Sequence, residues 1–151
     1  MKNYRIVFMG TAKFAVPTLE KLIESEHSII SVYSSPSKKA NRGMNLTHSP
    51  VSRTAKKFKI DLHTPDNLKS SDELHRLKDL SPDIIVVITY GLILPPEILS
   101  IPKFGCFNLH AQSENYAKFY NKGNKLSGNN FELAEKNFRI AINLSLIHIW
   151  R

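Results

Sequence analysis

Asn108 and His110 are the residues of this sequence best suited to chemistry. They stand two apart at the end of a stretch, Phe104 to Leu109, that reads as a strand, so their side chains share one face. An amide N–H can hold a developing oxyanion, and an imidazole beside it can move a proton or stabilise charge. That combination suits acyl transfer. The same spacing also fits a histidine that only closes a strand end. Cys106, two residues before Asn108, invites a Cys–His nucleophile reading. Its place inside a buried strand argues for inert packing instead.

Two further segments carry unusual residues. Tyr90-Gly91-Leu92-Ile93-Leu94 follows an apolar strand. An apolar loop of this kind could hold a flat heterocycle through main-chain hydrogen bonds, or it could be a tight turn that only packs. Gly10-Thr11-Ala12-Lys13-Phe14 is neither a G-x-G-x-x-G fingerprint nor a P-loop, which leaves nucleotide binding with little support.

The elements that must position these residues alternate. Arg5 to Thr11 reads as a buried strand ending at a glycine turn, and Phe14 to Glu26 as a helix with Val16, Leu19, Leu22 and Ile23 on one face. Ser28 to Val32 is a second strand. The stretch from there to Ser49 reads as a loop, and Pro50 opens a helix to about Phe58. Asp61 to His63 is a short strand, and Ser70 and Ser71 are candidate N-caps for a helix through Leu80. Ile84 to Ile88, β-branched throughout, has the character of a central parallel strand covered on both faces. Pro95 to Leu99 is a turn or two of helix. The expected fold is α/β with a mainly parallel twisted sheet. Ligands of such sheets bind at the carboxyl ends of the strands.

Composition narrows the class. The 151 residues fit one domain, and 42% hydrophobic residues suffice for a core. No apolar run reaches the roughly 18 residues of a membrane span. The N-terminus lacks a signal-peptide layout, so a cytoplasmic protein without a membrane partner is expected. A single cysteine excludes an internal disulfide framework and any multi-cysteine zinc site. The net charge of +8 is unevenly placed. No acid occurs between Glu26 and Asp61, while Lys38, Lys39, Arg42, Arg53, Lys56, Lys57 and Lys59 do. Such a block suits a phosphate backbone, or is simply a solvated basic face.

Four stretches together resemble the methionyl-tRNA formyltransferases. They are Arg5 to Leu19, Asn41 to Leu46 running into Ser49-Pro50-Val51, Pro82 to Pro95, and Gly105 to Ala111. The resemblance implies a Rossmann-like formyltransferase domain that moves a formyl group from 10-formyltetrahydrofolate to the amino group of initiator methionyl-tRNA. Carried over by position, Asn108 would bind the oxyanion and His110 would assist with proton and charge. The loop Ile88, Tyr90, Gly91, Leu92, Ile93 and Leu94 would contact the pterin, and Lys38, Lys39 and Arg42 would face the tRNA. No metal is implied, and a monomer is expected. The runner-up readings are a folate- or RNA-binding module without catalysis and a formyltransferase acting on a small amine.

The chain departs from the family after Ala111. Gln112-Ser113-Glu114-Asn115 replaces the family's Ser-Leu-Leu-Pro turn, and no Asp after Asp83 stands for its catalytic Asp. The tRNA-gripping β-barrel domain has no counterpart. Leu144 to Ile149 looks like the translation of a transposon end used in preparing DNA sequencing libraries. The expectation is therefore an incomplete formyltransferase domain over residues 1–111, joined to a divergent tail at 112–151 that reads as foreign. Little or no activity is expected of such a fragment.

Overall fold

The computed structural model describes residues 3–40 and 45–109. Five strands form one parallel sheet: β1 (Arg5–Gly10), β2 (Ser28–Tyr33), β5 (Leu62–His63), β6 (Ile84–Ile88) and β7 (Cys106–Leu109). Their order is β5-β2-β1-β6-β7, so the chain winds outward from β1 first one way and then the other. β6 has hydrogen-bonded neighbours on both sides, β1 and β7, in keeping with its unbroken apolar run.

Strand pleating sorts the side chains into two cores. Ile6, Phe8, Ile84, Val86, Ile88 and Phe107 point to one face. There they meet Leu19 and Leu22 of α1 (Val16–Glu24) and Val51 and Ala55 of α2 (Pro50–Lys57). Val7, Met9, Tyr33, Ile85, Val87 and Cys106 point to the other. They meet Leu77 of α3 (Ser71–Leu80) and Ile98 of α4 (Pro96–Leu99). All five residues of β6 are buried, because both faces of the sheet are covered.

Helix starts follow local chemistry. The Ser70 hydroxyl accepts the Glu73 N–H, and the Ser49 hydroxyl accepts the Ser52 N–H at 2.9 Å, so each serine satisfies one otherwise unpaired donor. Pro17 sits in the first turn of α1, as its missing N–H allows. A 3-10 turn, Lys13–Ala15, precedes α1, so the helix begins two residues later than the apolar spacing suggests. β7 is likewise shorter than expected. Gly105 turns at a φ of +94°, and the Phe104 N–H goes to the Asp83 carbonyl at 2.8 Å.

The basic stretch corrects the sequence reading. It was expected to be a loop, but β3 (Lys38–Ala40) and β4 (Asn45–Thr47) pair as an antiparallel hairpin. Lys38 opposes Thr47 and Lys39 opposes Leu46. Both lysines are exposed, as is Leu46. Arg42 lies outside the described residues.

Candidate active site

The strand order reverses between β1 and β6, the point where ligands of open parallel sheets bind beyond the carboxyl ends of the strands. Gly10 and Ile88 are register partners at that point. A Cβ on Gly10 would stand 2.9 Å from the Ile88 carbonyl oxygen, so only glycine lets the two strand ends approach this closely.

Polar contacts tie three loops together above this point. Thr11 Oγ1 donates to the Tyr90 carbonyl at 2.9 Å and accepts from the Ser35 N–H at 3.2 Å. Ser35 Oγ lies 2.9 Å from Thr11 Oγ1 and 3.4 Å from the same carbonyl. Hydrogen bonds therefore cross-link the segments after β1, β2 and β6.

The loop after β6 carries two turned residues, Thr89 at φ +46° and Gly91 at φ +90°. Its side chains part company. Tyr90 is buried, Leu92 and Leu94 are half-buried against the α3–α4 core, and Ile93 is 93% exposed. Ile88 is fully buried among the α1–α2 core. Of the residues expected to meet a heterocycle, Ile88 and Tyr90 can thus offer only backbone, whereas Gly91 and Ile93 present an open apolar surface.

Asn108 lies on β7 opposite Val87 of β6. Alternation puts it on the face of Cys106 and Val87, the same face into which Tyr90 and Leu92 pack. It is half-buried. His110 lies outside the described residues, as does the tail beyond it. Cys106 is buried, its thiol 4.0 Å from the Leu99 carbonyl, and burial pushes its pKa up to about 12. A thiol held so firmly protonated is packing, not a nucleophile.

Lys38 and Lys39 lie on the β3–β4 hairpin. Beside them Ser37 Oγ meets His48 Nδ1 at 2.7 Å, and Lys56 Nζ meets His48 Nε2 at 3.1 Å. These contacts join the hairpin to the exposed basic face of α2, which carries Arg53, Lys56 and Lys57. A cleft of about 490 Å³ between Ser81, Asp83 and Lys103 is at the amino ends of the strands, the wrong end for a ligand of this fold. Among the described residues no group of three or more His, Cys, Asp or Glu could hold a metal ion, and no helix is long and apolar enough to cross a membrane.

Gly10 and Thr11 were noted only as a strand-end turn lacking a nucleotide fingerprint, and Ser35 was not singled out. Gly10 ends an apolar strand, which was a usable signal. The Thr11–Ser35–Tyr90 contacts span 24 and 79 residues of sequence and leave no pattern to read.

Sheet order and the helices on both faces define a doubly wound, Rossmann-like α/β domain. The chain belongs to the formyl transferase family, whose profile matches residues 4–112. It is 46% identical over 107 residues to a methionyl-tRNA formyltransferase of Hydrogenovibrio crunogenus, covering 71% of this chain and 34% of that protein. A methionyl-tRNA formyltransferase of Methylococcus capsulatus is 48% identical over 107 residues, covering 71% and 35%. The chain thus spans about a third of the length of the curated relatives it matches. Among solved structures it resembles phosphoribosylglycinamide formyltransferase from Bacillus halodurans (TM-score 0.53, 14% identity, 70% of this chain and 55% of that one). The phosphoribosylglycinamide formyltransferase from Anaplasma phagocytophilum is similar (TM-score 0.52, 17% identity, 72% and 50%). At such identities the likeness is one of fold.

Proposed function

We propose that this chain is the formyl-transferring portion of a methionyl-tRNA formyltransferase, which moves the formyl group of 10-formyltetrahydrofolate to the amino group of initiator methionyl-tRNA. One observation carries the reading. Relatives 45–48% identical over 107 or 108 residues bear that name, whereas the solved structures with a smaller named substrate stand at 13–18%. The exposed basic hairpin and α2 face, in a stretch free of acid from Glu26 to Asp61, favour a polynucleotide over a small amine.

In this reading the amino nitrogen attacks the formyl carbon and the carbonyl electron pair moves onto oxygen. The Asn108 amide donates to that oxyanion. His110 takes the proton released by the amine and stabilises the charge. Collapse breaks the bond from the formyl carbon to the folate nitrogen, which then takes a proton. Backbone groups between Ile88 and Leu94 hold the pterin, with Gly91 leaving room and Ile93 covering its face. Lys38, Lys39 and Arg42 meet acceptor-end phosphates. The active unit is a cytoplasmic monomer, and its partners are initiator methionyl-tRNA and the reduced folate.

The test is a graft. Residues 1–109 replace the matching segment of the Methylococcus capsulatus relative, and formylation of methionyl-tRNA is measured with 10-formyltetrahydrofolate as donor. Retained turnover supports the proposal. A folded graft that formylates phosphoribosylglycinamide and not methionyl-tRNA overturns it.

A further inference from the structure

The carboxyl rim of the sheet is laid out by the strand order β5-β2-β1-β6-β7. The exits of β2 and β7 stand three strand spacings apart, roughly 14 Å. The exit of β1 lies between them, beside that of β2 on one side and that of β6 on the other. The segment after β2 leads into the basic hairpin, and Asn108 is on β7. A chain that reaches from the hairpin to Asn108 along this rim therefore crosses the exit of β1. The rim segments 11–15, 34–40 and 89–95 hold no Asp or Glu. Their cations are Lys13, Lys38 and Lys39, and Lys13 stands outside the hairpin.

Lys13 opens the 3-10 turn Lys13–Ala15 that links β1 to α1. The backbone around it is pinned. The Ala15 N–H donates to the Ala12 carbonyl at 2.9 Å, and Thr11 is bonded to the Tyr90 carbonyl and the Ser35 N–H. Ala15 is fully buried and Phe14 packs against the α1–α2 core, whereas Lys13 is exposed. Among the described residues the Lys13 ammonium has no carboxylate partner and no side-chain hydrogen bond. A free cation on a fixed backbone, in a rim without acids, favours an anion there. A polynucleotide supplies anions in series, as the succession of hairpin lysines and then Lys13 requires. We propose that Lys13 is a further substrate-binding residue, its ammonium holding a phosphate in the single-stranded 3′ end of the acceptor RNA where that end passes from the hairpin to Asn108. A lysine suits the task, because it is a point charge on a flexible stem and needs no bidentate geometry. The inference rests on the tRNA reading above and narrows it to one cation and one part of the RNA.

The experiment measures binding of two labelled RNA hairpins to the full chain at several salt concentrations. One hairpin carries a short single-stranded 3′ tail and the other is blunt. With Lys13 on a phosphate of the tail, the parent shows the steeper salt dependence with the tailed RNA. Lys13→Gln then lowers the slope of log K against log salt by about 0.7 on the tailed RNA and leaves it unchanged on the blunt one. Lys13→Arg keeps the charge and the slope. The Tm of Lys13→Gln matches the parent's, since an exposed side chain without partners holds nothing in the fold. In the grafted enzyme Lys13→Gln raises KM for methionyl-tRNA and not for 10-formyltetrahydrofolate. A slope lowered equally on both RNAs, or on neither, overturns the inference and leaves the tRNA reading standing. So does a KM rise confined to the folate, which would put Lys13 on the carboxylates of the folate tail. Where the full chain binds neither RNA even at low salt, the KM split decides, and a graft inactive on methionyl-tRNA removes the tRNA reading and the inference together.

Discussion

Thr11 Oγ1 donates a hydrogen bond of 2.9 Å to the carbonyl of Tyr90, a residue 79 positions away, and so joins the exit of β1 to the exit of β6. Thr11→Val keeps the shape and deletes the hydroxyl. It is expected to cost about 1 kcal/mol, the net worth of an ordinary hydrogen bond, and to weaken binding of a folate analogue. Urea unfolding of the two proteins checks the first effect. An unchanged midpoint would show that Ser35 alone suffices to hold the carbonyl.

Gly10→Ala has the opposite character, because it adds an atom where none fits. The new Cβ would lie 2.9 Å from the Ile88 carbonyl, 2.9 Å from Phe8 Cε1 and 3.1 Å from Ala15 Cβ. The carbonyl belongs to the sheet ladder and cannot step aside. The expected loss is about 2 kcal/mol, with the spacing between β1 and β6 disturbed. A variant as stable as the parent in denaturant would contradict this.

Asn108→Ala in the grafted enzyme is expected to lower kcat by about 10²–10³-fold and leave KM for both substrates near its starting value. That division follows if the amide donates only to an oxyanion that exists in the transition state. Steady-state kinetics decide the matter. A raised KM with kcat intact would make Asn108 a ground-state contact.

Replacing Lys38 and Lys39 by Gln should flatten the salt dependence of tRNA binding. If each lysine meets one phosphate, the slope of log K against log salt falls by about 0.7–0.9 per residue removed. Binding isotherms at several salt concentrations give the slope, and equal slopes would free both lysines from any phosphate. Both side chains are exposed, so the fold should not register their loss.

His27 predicts a pH dependence. Its Nδ1 accepts the Tyr4 N–H at 3.3 Å, and its ring packs against that of Tyr4. Burial lowers its pKa below 6.5, against the opposing pull of Glu26. The unfolded chain therefore takes up a proton before the folded one does. Stability from the neutral ring is complete above about pH 6.5 and is lost as pH falls through the lower folded value. Denaturation of the parent and of His27→Gln at pH 7.5 and pH 5 should show the parent's advantage shrinking in acid. A constant difference would rule out this linkage.

Much of the scaffold was readable because burial writes periodic patterns. Ile84 to Ile88 announced a strand covered on both faces, and Ser70 announced the start of α3. The β3–β4 hairpin was not readable: its strands are three residues each, too short to show an alternating pattern. Asn108 was found by type and strand position, and the structure puts it on the face that the loop after β6 packs against. Glu73 passed for an ordinary acid in a first helical turn. Only the tertiary fold reveals that this acid is nearly buried, one turn before Leu77 on α3.

The parallel pairing of β1 with β6 also has a consequence for how the protein is made. The Arg5 N–H is held by the Asp83 carboxylate at 2.9 Å, a partner 78 residues further along the chain. At about 5–20 residues per second, a ribosome needs roughly 4–16 s to synthesise that intervening stretch. For all that time β1 can pair with β2 on one side only, and its other edge stands bare. A strand reading Ile6-Val7-Phe8-Met9 with an open edge is a template for any other extended chain. A strand buried along nearly its whole length in the finished protein is thus exposed at one edge during synthesis, and a chaperone that shields the nascent segment until β6 emerges would raise the yield of folded chains.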